Sequence, residues 1–233
     1  MNFAVILAGG VGTRMGSDIP KQYICVEGKP VLVYTLERFQ ACPDIDKIVI
    51  VADEAWRADI QNWAKQYNIE KFLDFATPGA TRQDSVYSGL SCCIRYAQSS
   101  TDIVAVHDSA RALISVELIS KLVQGVEGYD GCIPVMPLKD AVFYSAGGQI
   151  IEKLVNRNEL FCTQAPECFY LQPYWELNNA TPASVRSTAL ADHELAFQNG
   201  WRIHCCPSEE NNFKLTTPGD IDRMISLLRT GKA

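Results

Sequence analysis

Short continuous apolar runs alternate, along the first half of the chain, with stretches in which apolar positions recur every third or fourth residue. Phe3-Ala-Val-Ile-Leu7 and Lys47-Ile-Val-Ile-Val51 read as buried strands, Phe72 to Ala76 is strand-like, and Asp102-Ile-Val-Ala-Val106 and Gly131 to Met136 read as further strands. Between them, Leu32, Leu36 and Phe39 space a helix over Lys29 to Ala41, and Trp56, Ile60, Trp63 and Tyr67 mark one face of a second. Val86, Leu90, Ile94 and Ala97 mark a third, and Leu118, Leu122 and Val126 a fourth over Ser115 to Val126. Regular alternation of this kind predicts an α/β fold with a mostly parallel sheet flanked by helices.

The alternation breaks after Met136. Asp140-Ala-Val-Phe-Tyr144, a Gly147-Gly148 turn and Gln149-Ile-Ile-Glu-Lys-Leu154 read as a β-hairpin, the centre of an arm over 138–160. A hairpin that protrudes from an α/β body leaves its edges unpaired, which predicts a homodimer joined through this arm. Beyond it, Leu171 to Ala180 and Ala189 to Gln198 read as helices and Trp201 to Cys206 as a strand. A last helix opens at Thr217-Pro218, with Ile221, Met224, Ile225 and Leu228 on one side. No repeat or linker interrupts the pattern, so residues 1–233 read as one domain.

The first strand stops in Gly9, Gly10, Gly12 and Gly16, with Arg14 inside the loop and Pro20-Lys21-Gln22 just beyond it. Glycines leave the backbone free to approach a ligand, and successive N–H groups make an anion nest. The two cations turn such a loop into a polyphosphate site, whereas a plain strand-to-helix turn has no use for them. It is not a P-loop, because no Lys follows the glycines directly. Nor is it a dinucleotide fingerprint, because Gly16 falls one residue too late after Gly10 and Gly12.

Charge and cysteines narrow the class. The 233 residues carry a net charge of −6 and no basic cluster, which excludes a general nucleic-acid or anionic-membrane binder. No apolar segment approaches the roughly 18 residues of a membrane span, and the N-terminus lacks a secretory leader pattern, so the chain reads as cytoplasmic. Nine cysteines with no C-x-x-C pair read as reduced, mostly buried thiols. The three histidines, His107, His193 and His204, are too scattered for a zinc site.

In an open parallel sheet, ligands bind beyond the carboxyl ends of the strands. Three further polar clusters fall at such ends: Gly79 to Ser85, His107-Asp108-Ser-Ala-Arg111, and Asn212-Phe-Lys214-Leu-Thr216. Gly79 can approach a base closely, and Ser85 can act as donor or helix cap. Asp108 and Arg111 form either an ion pair or a capping group, or else a ligand to Mg²⁺ or a hydroxyl and a contact to a second phosphate. His107 reads as a structural hydrogen-bonding residue. Lys214 and Thr216, alternating with Phe213 and Leu215, share one face of an expected strand, facing either solvent or the site. Arg157, at the foot of the hairpin, suits bidentate phosphate contact.

Taken jointly, Leu7-Ala-Gly-Gly-Val-Gly-Thr-Arg-Met-Gly16, Pro20-Lys21-Gln22, Arg82-Gln-Asp-Ser85, His107-Asp-Ser-Ala-Arg111, Arg157 with Thr163-Gln164-Ala-Pro166 and Phe169, and Asn212-Phe-Lys214-Leu-Thr216 carry a resemblance. The chain resembles the cytidylyltransferases of sugar-alcohol phosphates, with their methylerythritol-phosphate and ribitol-phosphate branches. The resemblance implies a Rossmann-like nucleotidyltransferase fold and a dimer joined by hairpin arms. It implies CTP held by Leu7, Ala8, Gly9, Gly10, Gly12, Thr13, Gly79 and Ser85, with Arg14 and Lys21 on its phosphates and Mg²⁺ as cofactor. Asp108, Arg111 and Lys214 then face the acceptor or, for Asp108, the metal, Arg82 and Thr216 are further substrate-binding residues, and Arg157 reaches into the partner's site. Arg14, Lys21 and Lys214 are the implied catalytic residues.

A phosphate monoester is mostly dianionic at neutral pH and is already a nucleophile, so the transfer needs positioning and charge neutralisation rather than a general base. Four positions depart from the family's pattern: Ala112, Ala141, Ala165 with Glu167, and the loosely matched Thr188 to Asp192. All lie on the acceptor side or the arm. The Gly9-Gly10 pair and Lys214-Leu-Thr-Thr217 lean toward ribitol 5-phosphate as acceptor, with methylerythritol phosphate second. A sugar-1-phosphate nucleotidyltransferase and a CTP-binding module without turnover are the competing expectations.

Overall fold

The computed structural model of the protein describes residues 1–10 and 19–232. β1 (Phe3–Leu7) is followed by a small antiparallel pair, β2 (Cys25–Val26) and β3 (Lys29–Pro30), and by α1 (Val31–Ala41). Then come β4 (Lys47–Val51), α2 (Glu54–Gln66), β5 (Phe72–Ala76), α3 (Arg82–Cys93), β6 (Ile103–Asp108), α4 (Val116–Gln124) and β7 (Gly131–Pro137). The arm holds β8 (Phe143–Tyr144) and β9 (Lys153–Leu154). Its return leads into β10 (Phe161–Thr163), β11 (Glu167–Tyr170), α5 (Leu171–Ala180), α6 (Ala183–Arg186), α7 (Asp192–Gln198), β12 (Ile203–Pro207) and α8 (Pro218–Arg229).

β5, β4, β1 and β6 lie side by side and parallel, and β7 and β12 form a second parallel pair. β11 enters between β6 and β7, antiparallel to both, and β10 continues antiparallel along β7. The mostly parallel sheet expected from the sequence is therefore present, with an antiparallel strand at its centre that the alternation did not reveal. Because β11 runs the other way, its first residue, Glu167, lies at the carboxyl rim of β6, where it pairs with Val106.

Alternate side chains of each buried strand serve opposite faces. Ala4, Ile6, Ile48 and Ile50 pack with Leu32 and Phe39 of α1, Ile60 of α2 and Leu122 of α4. Phe3, Val5, Val49 and Val51 pack with Val86 and Leu90 of α3 and Tyr174 of α5. Trp56, Trp63 and Tyr67 lie against the first of these layers, as core residues rather than a stacking platform. α8 closes a third apolar cluster through Met224, with Val31, Leu113 and Leu215.

Three expectations require correction. The hairpin is real but short: only Phe143 with Leu154 and Tyr144 with Lys153 pair. The segment Asn212 to Thr216 is not a strand; it is held by isolated bonds rather than a ladder. The helix expected from Ala189 begins at Asp192, after the separate α6. Among the described residues, no helix is long and apolar enough to cross a membrane.

Candidate active site

The glycine loop begins where β1 leaves the sheet. Ala8 N–H donates to Val51 O at 2.9 Å, and Leu7 O accepts from Ser109 N–H at 3.1 Å, so the loop's first residues stay locked to both neighbouring strands. Gln22 then clasps the loop from outside: its Nε2 donates to Ala8 O at 2.6 Å and to Gly10 O at 2.8 Å, and Tyr23 Oη donates to Ala8 O at 2.8 Å. Gly9 meets the second polar loop, where a Cβ would stand 2.4 Å from Pro78 Cγ. Gly12, Thr13, Arg14 and Gly16 lie outside the described residues.

The second loop is shaped by its own hydroxyls. Thr81, rather than Ser85, caps α3 by accepting from Asp84 N–H. Ser85 Oγ instead accepts from Gly79 N–H at 3.0 Å and donates to Thr81 O, folding the loop back on the helix. A Cβ on Gly79 would stand 2.2 Å from Asp84 Cβ, so only glycine fits this approach.

Asp108 ends β6 and forms the hub of the rim. Lys214 Nζ stands 3.0 Å from its Oδ2 and Arg111 Nε 3.3 Å from the same oxygen, while Arg82 Nη2 stands 3.5 Å from Oδ1. Burial would raise this carboxyl, but Lys214, Arg82 and Arg111 together hold it well below the usual carboxylate range. Behind the hub, Arg82 also pairs closely with the fully buried Asp192, which accepts a second bond from Gln83 at 3.2 Å. Burial disfavours the charged Arg82, yet Asp192 and Asp108 outweigh that and keep it protonated.

Lys214 reaches Asp108 because its segment is pinned from three sides. Asn212 Nδ2 donates to Ala165 O at 2.7 Å, Arg111 Nη1 to Asn212 O at 2.8 Å, and Leu215 N–H to Ala110 O at 2.9 Å. Lys21 Nζ donates to Leu215 O at 2.7 Å, which brings the Pro20-Lys21-Gln22 segment against the Lys214 segment. Thr216 does not share Lys214's role. Its N–H and hydroxyl both go to Asp220 Oδ2, at 2.8 and 2.9 Å, at the start of α8. Arg157 donates to Lys139 O at 2.5 Å at the foot of the arm and makes no bond to the Asp108 hub.

His107 is fully buried, with Nε2 3.2 Å from Arg111 O, and burial pushes its pKa down to about 3. It is neutral at any working pH and supports the Arg111 turn, as expected for a structural role. Sequence reasoning gave no role to Gln22, Tyr23 or His193, and met Asp192 only as the end of a weak match. Buried polar residues of this kind leave no periodic signal. Among the described residues, no group of three or more His, Cys, Asp or Glu could hold a metal ion. Asp108 alone, turned toward three cations, does not fit a metal site made by the protein by itself.

A rim that gathers Lys21, Lys214, Arg82 and Arg111 below a glycine loop suits a crowded anionic ligand. A family model described as IspD, 2-C-methyl-D-erythritol 4-phosphate cytidylyltransferase, matches residues 2–230. The chain belongs to this family. It is 33% identical over 232 residues to the 2-C-methyl-D-erythritol 4-phosphate cytidylyltransferase of Clostridium acetobutylicum, covering 98% of each chain. It is 31% identical over 222 residues to the ribitol-5-phosphate cytidylyltransferase of Vibrio parahaemolyticus, covering 94% of this chain and 92% of that one. In fold, this IspD-family chain resembles the solved 4-diphosphocytidyl-2C-methyl-D-erythritol synthase of Anaerococcus prevotii, with a TM-score of 0.82 at 23% identity over 98% of this chain and 96% of that one.

Proposed function

We propose that the protein transfers CMP from CTP to a polyol phosphate, releasing pyrophosphate and forming a CDP-polyol, with ribitol 5-phosphate as the acceptor. The observation that carries this reading is the convergence of Lys214, Arg82 and Arg111 on Asp108, with Lys21 bonded to the residue beside Lys214.

The acceptor phosphate dianion attacks the α-phosphorus of CTP in line. Lys21 and Lys214 then neutralise charge on the transferring group, and Arg14 acts with them from the glycine loop. Arg82 and Arg111 exchange part of their contact with Asp108 for the acceptor phosphate, and Asp108 keeps the three cations in place until the ligand arrives. Such preorganised charge supplies transition-state stabilisation without reorganisation at the moment of reaction. Leu7, Ala8, Gly9, Gly10, Gly12, Thr13, Gly79 and Ser85 surround the nucleotide. Mg²⁺ bound together with the triphosphate would supply further charge neutralisation, beside that of Lys21, Lys214 and Arg14.

A homodimer completes the proposal. The arm exposes Phe143, Tyr144, Ile151 and Leu154 next to Phe161, apolar surface that a second copy would cover, with Arg157 carried into that copy's site. The whole chain acts as one cytoplasmic catalytic unit. A second acceptor, 2-C-methyl-D-erythritol 4-phosphate, is favoured by the family description and by the Clostridium acetobutylicum relative. Pyrophosphate release from CTP with each acceptor separates the two: faster turnover with ribitol 5-phosphate supports the first, faster turnover with the methylerythritol phosphate replaces it, and no release with either overturns both.

A further inference from the structure

Behind the Asp108 hub lies a pair of ionisable groups that the proposed reaction does not use. Glu167, the first residue of β11, is almost fully buried, and His193 Nδ1 stands 3.1 Å from both of its carboxylate oxygens. The next residue back from His193 is Asp192, which holds Arg82, and Arg82 in turn faces Asp108. Asp192 Oδ2 is buried without a hydrogen-bond partner among the described residues, while Oδ1 takes both Arg82 and Gln83. His193 is the member open to solvent, with 26% of its side chain exposed.

We propose that His193 and Glu167 form a proton-holding pair that sets how firmly Arg82 is available to an anion at the Asp108 rim, making His193 a positioning residue for the acceptor phosphate. The proposal rests on the acceptor role given above to Arg82. While the pair holds a proton, the charge of Glu167 is met by His193, and Arg82 is left to bridge Asp192 to the rim. Once that proton leaves, Glu167 becomes a second buried carboxylate beside Asp192. It then draws Arg82 inward, away from the phosphate.

The surroundings favour a transition near neutrality. Burial pushes Glu167 up to about 7 against the pull of His193, and the bond to Glu167 raises His193 above its ordinary value. The other charged and titratable groups facing the pair are Asp192 and Glu194 from α7, Arg82 from α3, Arg111 from the turn after β6, and Tyr174 from α5. Linkage then works in both directions. An anion at the rim lowers the positive potential there and raises the affinity of His193 for its proton, and the protonated pair holds the anion more tightly.

The test is an NMR titration of the imidazole of His193 in the whole protein, assigned by its loss in His193→Gln. It is run at matched ionic strength with chloride or with sulfate, an anion that keeps both charges across the range. The midpoint is expected above the ordinary histidine value of about 6.5, to fall in Glu167→Gln, and to rise by about half a unit or more with sulfate. In turnover, the acceptor KM of the parent rises about threefold or more through this midpoint, the CTP KM stays level, and Glu167→Gln loses the inflection. A midpoint that neither Glu167→Gln nor sulfate moves overturns the inference, whatever the turnover. Pyrophosphate release with no inflection removed by Glu167→Gln overturns it too, and leaves the proposed function standing. No release with any acceptor overturns the proposed function, and the sulfate titration alone then decides the pair.

Discussion

Lys214 Nζ stands 3.0 Å from Asp108 Oδ2, joining the segment before the last helix to the carboxyl end of a central strand. The contact keeps a mobile side chain aimed at the rim before any ligand arrives, which reduces the entropy lost when charge develops there. Lys214→Ala is expected to lower kcat by about 100-fold or more while circular dichroism stays unchanged, the scale for one lost transition-state contact. A kcat within threefold of the parent would remove Lys214 from the machinery.

Gln22 holds the glycine loop by its two carbonyl contacts. Gln22→Ala removes two largely buried bonds, and a stability loss of about 1 to 2 kcal/mol is expected in urea unfolding. The CTP KM is expected to rise about tenfold with the acceptor KM unmoved, because the clasp acts on the nucleotide side. Equal rises in both constants would contradict that division.

The start of α8 supplies a pH dependence. Burial alone would raise Asp220, but the N–H groups and hydroxyls of Thr216 and Thr217 bring it down to about 2. A carboxyl lowered in the folded state contributes stability above its unfolded pKa and loses it as pH falls toward the folded value. The loss therefore falls between about pH 4 and pH 2, and with solvent screening it amounts to about 1 kcal/mol. Melting curves of the parent and Asp220→Asn are expected to converge over that window, and parallel curves would contradict the assignment.

Leu154 is 80% exposed, paired with Phe143 at the end of the arm ladder away from its turn. In a homodimer joined through this arm, Leu154→Asp places a charge in an apolar interface. Light scattering is then expected to show a dimer for the parent and a shift to monomer, tenfold or more in dissociation constant, for the variant. An unchanged dimer would put the interface elsewhere.

The fold was legible wherever burial makes the sequence repetitive. Phe3–Leu7 and Lys47–Val51 stand where the apolar runs place them, since strands covered on both faces need continuous hydrophobicity. β11 was not legible, because its four residues begin with a buried Glu and end at a helix, too short a run to show a period. Asn212 to Thr216 alternates like a strand, yet its bonds go to Ala165, Arg111 and Ala110 rather than to one neighbouring strand. In the site, Asp108, Arg111 and Lys214 could be marked by position at strand ends. That Arg82 is held from behind by Asp192 depends on α7 packing across α3 and α5, which no local pattern encodes.

Phosphorus NMR of CTP mixed with ribitol 5-phosphate, Mg²⁺ and the protein tests the central claim most directly. The expected spectrum gains the two coupled resonances of a CDP-polyol and the single resonance of pyrophosphate in equal amounts, and both fail to grow with Lys214→Ala. CTP left intact with either polyol phosphate, or CTP broken down to CMP with no diphosphate product, would contradict transfer at this rim.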